Sequence, residues 1–297
     1  MFLAGLLVNA AFMLWHAPGE NLLMPYRRAP YYVLFVLAVI AVGFWPSYFA
    51  KWTEVPWQFH AHGVAATLWV SLVLLQSIAV HKDRLPLHRT VGKVSLLLFP
   101  FLIAGFAGII DVTAKGYVEA NDPVRVMFAG SFLIGMAIAI AAYLTFYYRA
   151  LKHRRKVWLH SGYMLVTPLF LFESPFSRIL NMGAPGFTIR GPEDFGLILT
   201  SIEFSMALEL MFILAVCWKY RNKALPFMVA AGFIVAQMIT MLLLGDWSAL
   251  KPILFLIGTT PSWGVWLSGF GAGALTAWAG WNRGKQRPAV PVGAVAA

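Results

Sequence analysis

Two stretches of this chain repeat a pattern suited to holding a metal-centred cofactor. His81-Lys82-Asp83-Arg84-Leu85-Pro86-Leu87-His88 returns seventy-two residues later as His153-Arg154-Arg155-Lys156-Val157-Trp158-Leu159-His160. In each, cations separate two histidines, a leucine precedes the second one, and a glycine follows shortly after (Gly92, Gly162). Imidazoles on two facing helices can take the two axial positions of a haem iron. His88 and His160 are therefore candidate haem b ligands, and the competing reading is an interfacial hydrogen-bonding role for each. His81 and His153 fall further into their loops and are expected to be solvated.

A second constellation uses other residue types. His60 and His62 follow Trp57, and steps of seven from His62 reach Trp69 and Gln76, all on one helical face. An imidazole, an indole and an amide on one stripe must look into protein or a cavity, because lipid offers them no partners. His60 and His62 can share a metal only if the helix begins after His62, since neighbours two apart on a regular helix diverge. Asp111, Glu173 and Glu203, with Arg178 and Asn181, fall on the same side. A set drawn from His60, His62, Asp111, Glu173 and Glu203 suits a single transition metal, copper, zinc or iron. The alternative is a buried hydrogen-bonded network with Arg178 as counter-charge. Glu203 and Glu209 lie deep in an apolar run and mark a proton or ligand path, with Gln237 a candidate partner for Glu209.

The elements that must position these groups follow from hydropathy. Apolar runs at 31–50, 59–80, 92–112, 126–148, 157–174, 197–218, 226–244 and 263–281 each approach the ~20 residues that cross a bilayer. Lys and Arg alternate between the connections without exception, 17 on one side and 6 on the other. By the positive-inside rule this predicts an all-α polytopic transmembrane helix bundle of about eight spans with both termini cytoplasmic. It also makes the chain a multi-pass membrane protein. The net charge of +11 then reflects topology and anionic lipid, and calls for no nucleic acid. Residues 1–30 read as an N-terminal interfacial segment, with a crossing by residues 1–15 left open. Residues 31–282 read as the bundle and 283–297 as a disordered basic, Ala- and Pro-rich tail. The stretch from Glu173 to Asp194 reads as turns that could cap a cavity, and Gly269, Gly273 and Ala277 as a close-packing stripe. The single Cys217 excludes an intrachain disulfide.

Phosphate-binding loops, dinucleotide fingerprints and zinc-hydrolase motifs are absent, as are the histidine clusters of membrane di-iron enzymes. Phe59-His60-Ala61-His62-Gly63, Trp69, Gln76, His88-Arg89-Thr90-Val91-Gly92, Arg154-Arg155…His160 and Pro175…Arg178 resemble a family of uncharacterised bacterial multi-pass membrane proteins over roughly residues 31–220. A more distant resemblance is to cytochrome b561-type proteins, which hold haem between histidines of neighbouring helices. That resemblance implies electron transfer with a quinol or a redox protein as partner. It extends to one haem only, because the external helix ends offer no histidine beyond His60 and His62. Three functions follow as expectations. They are b-type haem redox chemistry, a small-molecule or metal-ion transporter or sensor with a pocket open to the external side, and a non-catalytic assembly factor.

Overall fold

A computed structural model describes residues 25–285, which form helices and turns with no strand among them. The helices are α1 (Ala29–Gly43), α2 (Trp57–His81), α3 (Leu85–Glu119), α4 (Pro123–Lys152), α5 (Val157–Leu165), α6 (Glu173–Gly183), α7 (Gly196–Tyr220), α8 (Leu225–Leu244), α9 (Leu250–Thr259) and α10 (Ser262–Arg283). Proline occupies the first turn of α1, α3, α4 and α8, where its missing N–H costs nothing. Asp122 caps α4 by accepting from the backbone N–H of Val124 and Arg125. The expected interfacial segment up to residue 24 and most of the 283–297 tail lie outside the described residues.

Five helices (α2, α3, α4, α7 and α8) are long and apolar enough to cross a membrane, and α9 with α10 makes a sixth if that bent pair is one span. Two of the eight expected runs took a different form. The run 31–50 is helical only to Gly43, a helix of 15 residues. The run 157–174 is broken between α5 and α6. Before the last run comes a helix the hydropathy reading did not separate, α9, which meets α10 at 108°. The stretch expected to be turns from Glu173 begins instead with the eleven residues of α6. Its apolar Pro175, Phe176 and Leu180 are buried, and that amphipathic face rewards helix formation.

Contacts between connections define two ends of the bundle. The Tyr26 hydroxyl reaches the carbonyls of Trp158 (3.5 Å) and Lys223 (3.3 Å). Arg154 donates to the Trp281 carbonyl (2.9 Å) and Arg155 to that of Lys285 (3.4 Å). The rings of His88 and His160 join the α2–α3 and α4–α5 connections to this group. Every described member of the cation-rich set thus lies at one end. At the other end Arg178 covers the Phe44 ring (4.8 Å), Tyr48 meets His60, and Lys115 donates to the Thr260 carbonyl (3.1 Å).

The core is aromatic. Trp69, Phe99, Tyr143, Phe146, Tyr147 and Tyr163 are fully buried in one cluster, with Phe99 and Tyr147 stacked at 4.0 Å. Helix α10 lies against α3 through its small residues. A Cβ at Gly269 would come within 2.7 Å of Ala107 Cβ, and one at Gly273 within 2.7 Å of Pro100 Cα. The spacing of small side chains therefore lets the two backbones approach.

Candidate functional site

His88 and His160 are each the fourth residue of their helix, α3 and α5, so the duplicated loops deliver them to equivalent positions. Their ring centroids are 6.2 Å apart and their planes nearly perpendicular, at 84°. The Nδ1 atom of His160 bonds the Ala150 carbonyl at 2.9 Å, which fixes that nitrogen as the N–H and leaves Nε2 with a lone pair. Nδ1 of His88 is buried with no hydrogen-bond partner. The His88 carbonyl accepts from Gln76 Nε2 at 3.1 Å, so the stripe from His62 ends by fixing the first turn of α3. A side chain at Gly92, one turn beyond His88, would meet only Gln76, at 3.6 Å.

The two imidazoles come from different helices into one ring contact. Arg89 lies within Coulombic reach of His88 and Arg154 of His160, so acidic side arms of a cofactor would have counter-charges nearby. These residues fit a bis-imidazole haem by donor type.

The neighbouring histidines differ. His81 closes α2 with Nδ1 on the Ser77 carbonyl at 2.6 Å and Nε2 buried, so it is not the solvated loop residue expected. In the α4–α5 loop, burial first and then Lys152, Lys156 and Arg149 hold the His153 imidazole below its ordinary range. It is neutral at neutral pH.

Towards the other end, the metal set does not assemble. Helix α2 begins at Trp57, ahead of both histidines, so His60 and His62 diverge. His60 turns to Tyr48 (3.1 Å) and Trp52, and burial pushes the Tyr48 hydroxyl up, so it stays protonated. His62 turns inward against Phe106 (ring centroids 4.8 Å). Asp111 is taken up by an ion pair with Lys115 and by Gln58 Nε2 at 3.0 Å. Among the described residues no group of three or more His, Cys, Asp or Glu is placed to hold a metal ion.

What does converge is a polar cluster around Glu173. Glu203, Glu209 and Arg178 all lie within Coulombic reach of it, and Arg178 also reaches His62. The Asn181 side chain accepts from Ser201, which joins α6 to α7. Gln237 is buried on α8.

Sequence reasoning missed the break that brings α6 to this cluster. Pro168 has no N–H and cannot bond the Met164 carbonyl four residues back. The Thr167 hydroxyl takes that carbonyl instead, at 2.8 Å. Trp69 Nε1 donates to the same hydroxyl at 2.8 Å, and the Tyr143 hydroxyl donates to the Thr167 carbonyl. The signal was present in Thr167-Pro168, but the chain alone does not say that Trp69 and Tyr143 wait opposite it.

No protein-family model, curated protein or solved structure matches this chain. Its described part is an all-helical bundle with the length and apolarity of an integral membrane protein.

Proposed function

We propose that the chain is a b-type haem redox protein of a bacterial inner membrane, with His88 and His160 as the residues that would hold the haem iron. The observation that carries this reading is the 6.2 Å separation of the two imidazoles, brought from different helices to one depth. The haem would supply one-electron transfer, and a quinol or a redox protein would be the partner. The work of the chain itself is positional. Ala150 sets the His160 tautomer, Gln76 holds the start of α3, and Arg89 and Arg154 offer positive charge. The basic end faces the cytoplasm in this reading. α1, the broken α5–α6 segment and α10 join the five long helices as crossings, eight in all, which leaves both termini cytoplasmic.

The absorption spectrum of detergent-purified protein, made with haem precursor supplied, tests it. Soret and α bands that sharpen and shift on dithionite reduction are expected. His88→Ala and His160→Ala should each abolish the low-spin spectrum while the helical circular dichroism survives. A colourless wild-type protein overturns the reading.

The break between α5 and α6 favours a second reading, a small-molecule transporter or sensor. Interrupted helices at mid-depth, with polar groups gathered around them, are how secondary transporters build solute sites. A colourless protein whose Glu203→Gln variant alters solute binding would favour it.

A further inference from the structure

Helix α9 is held at one depth along its length. Just before it, the Gly245 carbonyl fills the space a side chain at Gly130 would need. Gly130 lies seven residues, or about 10 Å, inside the start of α4. Near its end, a Cβ on Gly258 would come within 2.7 Å of the Ala114 carbonyl, five residues, or about 8 Å, before α3 stops. The chain then turns by 108° into α10. α9 therefore runs across the wall of the bundle at the depth where interfacial helices rest.

Its two sides differ. Leu250 and Leu254 are buried in a cluster with Ala114 of α3 and with Ala129 and Leu133 of α4. The outer side leaves Phe255 60% and Leu256 67% exposed, apolar surface that acyl chains cover at this depth. Between that side and α3 runs a cleft of about 510 Å3, lined by Tyr117, Lys251, Pro252, Phe255, Leu256 and Thr259. The missing side chain of Gly258 lets α9 approach α3 closely enough for Tyr117 to form the opposite wall.

Lys251 opens one helical row of this cleft and Phe255 follows a turn later, so a cation leads into an apolar surface. Nearby cations are already taken up, Lys115 by Asp111 and Arg125 by Asp122. Lys251 is exposed, and neither Asp246 nor Glu119 forms an ion pair with it. The Thr259 hydroxyl is committed to the Phe255 carbonyl at 2.8 Å, which leaves Lys251 as the charged group that selects an occupant. A cation beside apolar rows complements an amphiphile with an anionic head. A zwitterionic lipid brings its own cation beside the phosphate and complements Lys251 less well.

We propose that the cleft between α3 and α9 holds one anionic phospholipid, with its headgroup phosphate on the Lys251 ammonium and an acyl chain along Phe255 and Leu256. The site lies at the end opposite the basic loops, so it is distinct from the general attraction of those loops for anionic headgroups. It uses neither His88 nor His160 and stands or falls apart from the haem reading.

Photocrosslinking of the full chain in phosphatidylcholine nanodiscs, followed by peptide mapping, is the test. The probes are phosphatidylglycerol and phosphatidylcholine, each with a diazirine in one acyl chain and each at the same low mole fraction. The phosphatidylglycerol probe should label α9 at least fivefold more than the phosphatidylcholine probe. Lys251→Gln should bring the two probes level, while Lys251→Arg keeps the difference. Lys51→Gln, which removes another exposed cation at the same end, should also keep it. Equal labelling of α9 by both probes in the wild type overturns the proposal, since contact with bulk lipid then accounts for the cleft. So does a preference that survives Lys251→Gln, or one that Lys51→Gln abolishes as fully.

Discussion

Two buried acid sites lie in the half of the bundle away from the basic loops, and they are built in opposite ways. Asp111, 1% exposed, has Lys115 on one oxygen and Gln58 on the other, and Lys115 reaches on to the Thr260 carbonyl where α9 turns into α10. Glu203 and Glu209 have orphaned oxygens and no ion pair. The first site spends every donor on fixing three elements together. The second holds acceptors without donors, which fastens no elements together. Composition alone would rank the two alike, because each is a carboxylate in an apolar helix beside a cation.

Breaking the first site should cost most. Lys115→Ala leaves the Asp111 carboxylate buried without its cation, and a loss of about 3 kcal/mol is expected in detergent unfolding. Adding Asp111→Asn to that variant should recover much of the loss, since the uncompensated charge goes with it. A smaller effect, about 1–2 kcal/mol, is expected for Gln58→Leu, which removes one neutral donor and keeps the ion pair. The smallest belongs to the second site. Glu203→Gln should change stability by no more than about 0.5 kcal/mol, or raise it, because it removes an unpaired acid and no hydrogen bond. Equal losses for Lys115→Ala and Glu203→Gln would erase the distinction between the sites.

How far the sequence could be read depended on the range of the interactions involved. The duplicated His-Leu-His loops pointed to His88 and His160 because each pair member sits at the same distance from a helix start. The stripe His62, Trp69, Gln76 was readable because a seven-residue step returns to one helix face, and Trp69 and Gln76 are indeed buried. The proposed metal set failed for a local reason, the start of α2 at Trp57, and for a remote one, the capture of Asp111 by Gln58. The first lay in a boundary that periodicity locates poorly. The second lay in a contact across fifty-three residues that no pattern encodes.

By itself the sequence determined the helical class, the apolar faces, the segregation of cations to one end and the close approach of α10 to α3. These follow from backbone hydrogen bonding in an apolar medium, from charge in the connections and from side-chain size, all written residue by residue. Only the tertiary structure decided that the fifth apolar run breaks at Pro168, which carboxylates are satisfied and which are left open, and that two imidazoles lie 6.2 Å apart. Those outcomes depend on which side chains from distant helices arrive at the same point, and a partner's arrival is a property of packing.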